Sequence, residues 1–450
     1  MKSEREVALE ILLEIEENNA YSNIAINKFL RKYQISEGAF VREIVYGVIE
    51  NKLFLDYLLS QFVQTGLKKL KKEVLLILRM GIYQLAFLTG TPSYAVVNES
   101  VKLAKKHSQR HAGFINAVMR NYLRKKDTIV LPKREDDLIR YLSVKYSYEP
   151  WMIDEWLKHF SEEFTEALLK AGNETPPLTI RVNTLNTKVS AMQSLLEERG
   201  VEVISGKYVQ EALIVKGNHL IDNDLFNKGL YQIQDESSML AVKALDPKPK
   251  DLVIDVCAAP GGKTIFTGEL MENKGRIIAR DIYPHKLELL KDSAMRHGVD
   301  IIETQIFDAL IKDAELEGKA DKVLVDAPCS GLGVIRRKPE IKYNRHREEL
   351  EQFSALQCQI LDNASTYLKK GGTLVYSTCT ISSYENEQVV RRFLDKHTDF
   401  KLVKPEHSDF NKINLQNDPM IQLFPNIHDT DGFFICKLLK MNDNTAEVYI

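Results

Sequence analysis

From residue 4 to about 125 the apolar positions of this chain recur at the i, i+3, i+4 spacing of an amphipathic helix. "VALEILLEI", "SNIAINKFL", "VREIVYGVIENKLFLDYLLSQFV" and "KEVLLILRMGIYQLAFL" each carry one apolar stripe, and Thr91-Pro92-Ser93 interrupts the run. The pattern predicts an all-helical bundle over residues 1–126. "RKKDTIVLPKRED" (124–136) reads as a charged connector around Pro132. The stretch 137–240 mixes periods: "PLTIRVNTLNT" alternates like a strand, "KVSAMQSLLEERG" is helical and closed by Gly200, and "VEVISG" and "EALIVKG" are strands again. A small α/β subdomain is expected there.

Over 241–440 the rhythm changes to short strands that are apolar on both faces, "DLVIDVC", "GRIIARDI", "DIIETQIF", "DKVLVDA" and "GTLVYSTC", separated by helical segments. Strands buried on both sides between helices predict an α/β, doubly wound, parallel sheet. Ligands of such sheets bind beyond the carboxyl ends of the strands.

With 44% hydrophobic and 28% charged residues the chain is expected to be globular. Its longest apolar run is interrupted by Arg79 and its start lacks a signal-peptide layout, so a cytoplasmic protein with no membrane association is expected. The five cysteines (Cys257, Cys329, Cys358, Cys379, Cys436) lie far apart without a C-x-x-C pair, which argues against a disulfide framework and against a metal centre. The net charge of −2 hides an uneven distribution. Residues 1–126 hold 20 Lys and Arg against 12 Asp and Glu, leaving 41 against 51 for the remainder. Residues 101–126 contain eight basic residues and no acid, a stretch that can follow a phosphate backbone, although an isolated basic helix can equally be a solvated face.

"DVCAAPGGKT" (255–264) follows a strand and opens a helix. Cys257, Ala258, Ala259, Pro260, Gly261, Gly262 and Lys263 thus surround one strand end, where glycines let a ligand approach the main chain. The spacing matches neither G-x-G-x-x-G nor the phosphate loop G-x-x-x-x-G-K-[ST]. Asp281 ends the next strand, where a carboxylate can accept both ribose hydroxyls, and Asp308 ends the third, suited to an exocyclic amine. Each aspartate alone would be read as a helix N-cap; the three strand ends together predict a nucleoside site. An adenosine ligand without a phosphate cradle points to S-adenosylmethionine.

Two cysteines stand at the ends of further strands, Cys329 in "DAPCSG" and Cys379 in "YSTCT". Together with "DVCAAPGGKT", the segments "DAPCSGLGVIRRKPEIKY", "VYSTCTISSYENEQVV" and "YQIQDESSMLA" (231–241) resemble the signatures of the RNA 5-methylcytosine methyltransferases, and the basic front resembles the antitermination factor NusB. The resemblance covers nearly the whole chain. It implies a Rossmann-like methyltransferase sheet, a cytosine in small-subunit ribosomal RNA as substrate, Cys379 as nucleophile and Cys329 as the group that assists product release. Asp326, three residues before Cys329, is placed to hydrogen-bond a ring nitrogen if it carries a proton at that moment and belongs also to the cofactor side, and Lys263 can bias these protonation states. Cys257 is expected to pack in the cofactor loop, and Cys358 and Cys436 to be structural thiols. Arg336, Arg337, Lys338 and Lys342 are expected to hold phosphates beside the target base, with Tyr343 stacking and Arg181 and Asn183 contributing to RNA grip. No obligate protein partner is evident. Two alternatives stay open: an RNA-binding assembly factor that keeps the cofactor only for stability, and a methyltransferase acting on transfer RNA.

Overall fold

The computed structural model describes residues 2–35, 38–217, 220, 223–413 and 418–442. It divides into a helical unit, residues 1–174 with 335–347, and an α/β unit, residues 175–334 with 348–450.

In the helical unit the apolar stripes become the helices Glu4–Asn18, Ser22–Lys32, Ala39–Glu50, Lys52–Ser60, Lys72–Phe87, Ser93–His107 and Ala112–Lys125, which share one core. The first helix starts where the Ser3 hydroxyl accepts the Glu6 N–H. Arg79, the charge inside the apolar run, is buried with its guanidinium on both Asp56 oxygens (2.8 Å each) and on Glu16 (2.6 Å). Its charge is neutralised inside the bundle, where an unpaired one would be prohibitive.

The segment expected to open the small α/β subdomain begins differently. Residues 138–171 form three more helices, Leu138–Tyr146, Pro150–His159 and Glu162–Ala171, that belong to the helical unit. Residues 335–347 also belong there, which corrects the expected use of this basic segment. Lys342 is fully buried, donating to the carbonyls of Glu50 (3.1 Å) and Tyr146 (3.4 Å) and to Asn173 Oδ1 (2.6 Å), and burial lowers its pKa to about 7. Tyr343 donates to the Ser147 carbonyl (3.0 Å), its ring packed on the helical core under Lys52 Nζ. Neither is placed to meet RNA. Arg336 is buried as well, Arg337 is half-buried, and Lys338 lies over the ring of Tyr21.

The α/β unit begins with an antiparallel sheet of four strands, β1 (Thr179–Val182), β2 (Glu202–Ser205), β3 (Ala212–Lys216) and β4 (Tyr231–Ile233), in the order β2-β3-β1-β4. Arg181 on β1 is fully buried, with its guanidinium on both oxygens of Glu269 (3.0 and 2.8 Å), on the Gly262 carbonyl (2.9 Å) and on Gln234. Asn183 donates to the carbonyls of Gly229 (2.9 Å) and His297 (2.8 Å). The expectation that these two residues grip RNA is therefore corrected: they are interior fastenings between the small sheet and the helices of the large one.

The large sheet holds β5 (Leu252–Asp255), β6 (Arg276–Asp281), β7 (Ile302–Ile306), β8 (Ala320–Asp326), β9 (Leu368–Thr378), β10 (Phe400–Val403), β11 (Met420–Leu423) and β12 (Phe433–Lys440), in the order β10-β12-β9-β8-β5-β6-β7 with β11 on β12. β5 to β9 pair in parallel; β5, β6, β8 and β9 are buried largely on both faces as predicted, whereas β7, expected to be buried likewise, is an edge strand with Glu303 and Ile306 exposed. The last three strands pair antiparallel, so the sheet is mixed. The nine residues between β11 and β12 are too few for a parallel crossover.

Truncating one partner of the Arg181–Glu269 pair strands a charge in the interior. Glu269→Ala is expected to destabilise the α/β unit by about 3–5 kcal/mol in urea unfolding. A loss below about 1 kcal/mol would mean that the pair behaves like an exposed one.

Candidate active site

The loop from Cys257 to Lys263 and Asp281, Asp308, Asp326, Cys329 and Cys379 lie at or just beyond the carboxyl ends of the parallel strands, whereas the basic end of the Pro-Cys motif belongs to the helical unit. β5 ends in Asp255, and the chain turns through residues 256–261 into the helix Gly262–Leu270. Asp255 is buried and accepts the Thr264 hydroxyl (2.7 Å) and the Cys257 N–H (3.4 Å), tying the loop to the first turn of the helix. Burial raises its pKa to about 7, against the pull of the Thr264 hydrogen bond. Gly261 has φ +107°, and a Cβ there would come within 2.6 Å of Leu290, so this turn requires glycine.

Asp281 at the end of β6 accepts the N–H groups of Ala259 (3.3 Å) and Tyr283 (3.0 Å), which brings the loop beside the next strand end. Asp308, exposed beyond β7, accepts the Leu310 N–H (2.9 Å). Cys257 lies amid these groups: burial first, then the charges of Asp255, Asp326, Asp281 and Asp308, push its thiol up and disfavour the thiolate. Both surface aspartates keep unused oxygen lone pairs. Ile282 and Tyr283 beside Asp281, and Leu310 and Ile311 beyond Asp308, expose apolar surface. Carboxylates on two successive strand ends with apolar faces between them fit a nucleoside.

The neighbouring strand ends carry the sulfurs. β8 ends in Asp326, β9 in Thr378, and Asp326 pairs in register with Ser377. Cys329 and Cys379 are half-buried with their Sγ atoms 3.3 Å apart. The hydrogen bond to Cys379, then burial, holds the Cys329 thiol well above its usual range. Asp326 receives Lys263 Nζ on one oxygen (2.7 Å) and the Ser377 hydroxyl on the other (2.9 Å), so the cofactor loop and the cysteine strands meet at this carboxylate. Lys263 Nζ also lies 5.1 Å from the centre of the Phe433 ring. The Cys379 carbonyl accepts the Gly333 N–H (3.0 Å), and Gly333 packs so closely that a Cβ would stand 1.8 Å from the Gly432 carbonyl. Cys436 is buried and Cys358 half-buried; burial raises both thiols, as structural cysteines require.

Sequence reasoning missed the supports of this site: Asp255 with Thr264, Ser377, and above all Glu385, which is fully buried and accepts hydrogen bonds from the residues that follow the two cysteines. Each stands inside a quoted motif. Their residue types alone, in "DVCAAPGGKT" and "SSYENEQ", gave no sign of burial.

The chain matches three family models: "16S rRNA methyltransferase RsmB/F" over residues 242–439, "NusB family" over 2–124, and "Methyltr_RsmF/B-like, ferredoxin-like domain" over 148–222. It is 36% identical to the probable ribosomal RNA small subunit methyltransferase B of Bacillus subtilis (strain 168), covering 97% of this chain and 99% of that protein. The crystal structure of PH0851 superposes with a TM-score of 0.82 at 29% identity, covering 98% of this chain and 99% of that one. NSun6 from Pyrococcus horikoshii, solved with SFG, has a TM-score of 0.58 at 25% identity over 65% of this chain and 98% of its own.

Asp255 supplies a pH test of the loop. Its folded pKa of about 7 lies above the unfolded value near 4, so between these limits the folded protein holds a proton that the unfolded chain has lost. Stability from this group falls as pH rises through that window. Asp255→Asn is expected to remove the decline, so that wild type and variant diverge by on the order of 4 kcal/mol at most between pH 4 and 8. Parallel stability curves would refute this account of Asp255.

Proposed function

The chain belongs to the family of ribosomal RNA small subunit methyltransferases B, and on that footing we propose that it moves a methyl group from S-adenosylmethionine to carbon 5 of a cytosine in small-subunit ribosomal RNA through a covalent cysteine–cytosine intermediate. The observation that carries the reading is the pair of sulfurs 3.3 Å apart, next to a nucleoside-shaped site and joined to it by Lys263 and Asp326. SFG, an analogue of S-adenosylmethionine, in the related NSun6 structure supports the choice of donor. The absence of a described helix long and apolar enough to cross a membrane is compatible with work in the cytoplasm.

S-adenosylmethionine supplies an electrophilic methyl group, held by the loop Cys257–Lys263 with Asp281, Asp308 and Asp326 around it. Carbon 5 of cytosine is a poor nucleophile. The Cys379 thiolate adds to carbon 6, forming an S–C bond and turning carbon 5 into an enamine carbon able to take the methyl group. A Cys329 S–H directed at the neighbouring sulfur stabilises that thiolate, and the elevated Cys329 pKa keeps the proton there. Asp326, carrying a proton passed to it by Lys263 2.7 Å away, donates a hydrogen bond to the ring nitrogen as negative charge develops there. Once carbon 5 is methylated its proton must leave while the C6–S bond breaks. A water held by Cys329 takes that proton and passes it to the sulfur of Cys379 as that sulfur departs, so the C5–H and C6–S bonds break while the C5–C6 double bond and an S–H form. Reaching carbons 5 and 6 requires the base to be unstacked into the site. Selection of ribosomal RNA falls to the helical unit, where all eight basic side chains of residues 101–126 are exposed.

Labelled methyl groups from S-adenosylmethionine are expected to enter small-subunit ribosomal RNA, with Cys379→Ala abolishing transfer. Cys329→Ala is expected to accumulate a protein–RNA adduct that survives denaturing electrophoresis. Normal turnover by Cys329→Ala, with no adduct at any time, would overturn the division of roles. Bisulfite mapping of ribosomal RNA from cells with and without the protein identifies the cytosine.

A further inference from the structure

The tail of the Thr-Cys motif, "SSYENEQ", takes no part in the chemistry above, yet it carries Glu385, whose side chain reaches the residues next to both sulfurs. Glu385 is 0% exposed. Its Oε2 accepts the Ser330 N–H (2.8 Å) and the Gln357 Nε2–H (3.1 Å). Its Oε1 accepts the Ser330 hydroxyl (2.5 Å) and the Thr380 hydroxyl (3.3 Å), and those two hydroxyls are themselves 2.9 Å apart. Ser330 follows Cys329 and Thr380 follows Cys379, so one carboxylate grips the residue after each sulfur. Gln357 also donates to the Pro328 carbonyl (2.9 Å), the residue before Cys329. Tyr376, three residues before Cys379, donates to the Glu385 carbonyl (2.6 Å).

We propose that Glu385 is a positioning residue that clamps the Pro-Cys and Thr-Cys loops in register, so that Cys329 meets Cys379 at the moment the enzyme–RNA bond must be released. The inference rests on the two-cysteine reading given above. A buried acid is costly, and burial does push this carboxyl up, while the donors from Ser330, Gln357 and Thr380 pull the other way. A site that needed only filling could use an apolar side chain. A carboxylate presents acceptors to two loops 50 residues apart at once, and its shared hydrogen bonds fix the distance between them.

The test uses the full chain with S-adenosylmethionine and small-subunit ribosomal RNA, and compares Glu385→Ala, Glu385→Gln and Ser330→Ala. Glu385→Ala is expected to lower turnover about tenfold or more, with the KM for RNA unchanged and covalent adduct accumulating. Glu385→Gln keeps the shape and can still bridge the loops, so it is expected to recover most of the activity; Ser330→Ala should show the same pattern more weakly. A second readout is independent of the methylation reaction. Phenylarsine oxide captures two adjacent thiols with loss of water, so wild type should bind it through Cys329 and Cys379, and Glu385→Ala about tenfold more weakly. Binding of S-adenosylmethionine should survive in every variant. Wild-type turnover together with wild-type arsenical binding in Glu385→Ala would overturn the clamp, as would equal loss of turnover and S-adenosylmethionine binding in the Ala and Gln variants, the mark of a merely structural role. Failure of the wild-type protein to methylate RNA, with arsenical capture still dependent on Glu385, would instead overturn the proposed function and leave the clamp standing.

Discussion

The parallel pairing of β8 with β9 is the constraint on which the site depends. Neighbouring strands lie about 4.8 Å apart, and the register sets Asp326 opposite Ser377. Once that pairing is fixed, the residues just beyond the two strands have to share one small volume. Cys379 follows β9 directly, and Cys329 is reached in three residues from the end of β8. A slip of one residue would turn the Ser377 hydroxyl away from Asp326 and carry the Cys379 sulfur to the other face. The apolar burial of both strands holds the register, so packing in the sheet interior is what brings the sulfurs together.

The electrostatics follow from the same crowding. Burial, reinforced by Asp255 and Asp326, raises the Cys257 thiol, and the hydrogen bond to Cys379 followed by burial, with a smaller push from Glu385, raises that of Cys329. Lys263 brings positive charge to this edge, held against Asp326 and the face of Phe433. The raised pKa of Cys329 holds the proton on that sulfur, which leaves its S–H free to point at the neighbouring one.

The motifs were legible because their chemistry is local. Cys329, Cys379, Asp281, Asp308 and the loop from Cys257 to Lys263 each sit at the end of an apolar run, and the alternation of strand with helix already placed all those ends along one edge. Partners distant in sequence were not legible. Nothing in "TIRVN" says that Arg181 will meet Glu269, 88 residues later, inside the protein. The antiparallel entry of β12 was hidden for a related reason, since an apolar run reads the same in either direction.

The basic residues draw the same line between local and distant information. Arg181 and Lys342 look like phosphate ligands by type, but each has exchanged its hydration for fixed interior acceptors, and a phosphate could reach neither without breaking the fold. The cations of residues 101–126 are held differently. Lys102 pairs with Glu99 at the surface, the lysine 72% exposed, and such a pair contributes little to stability. A polyanion can take over such a contact at small cost while releasing its own counterions. Burial of the charged head, more than the number of basic residues, therefore separates the cations that build this protein from those it can offer to RNA.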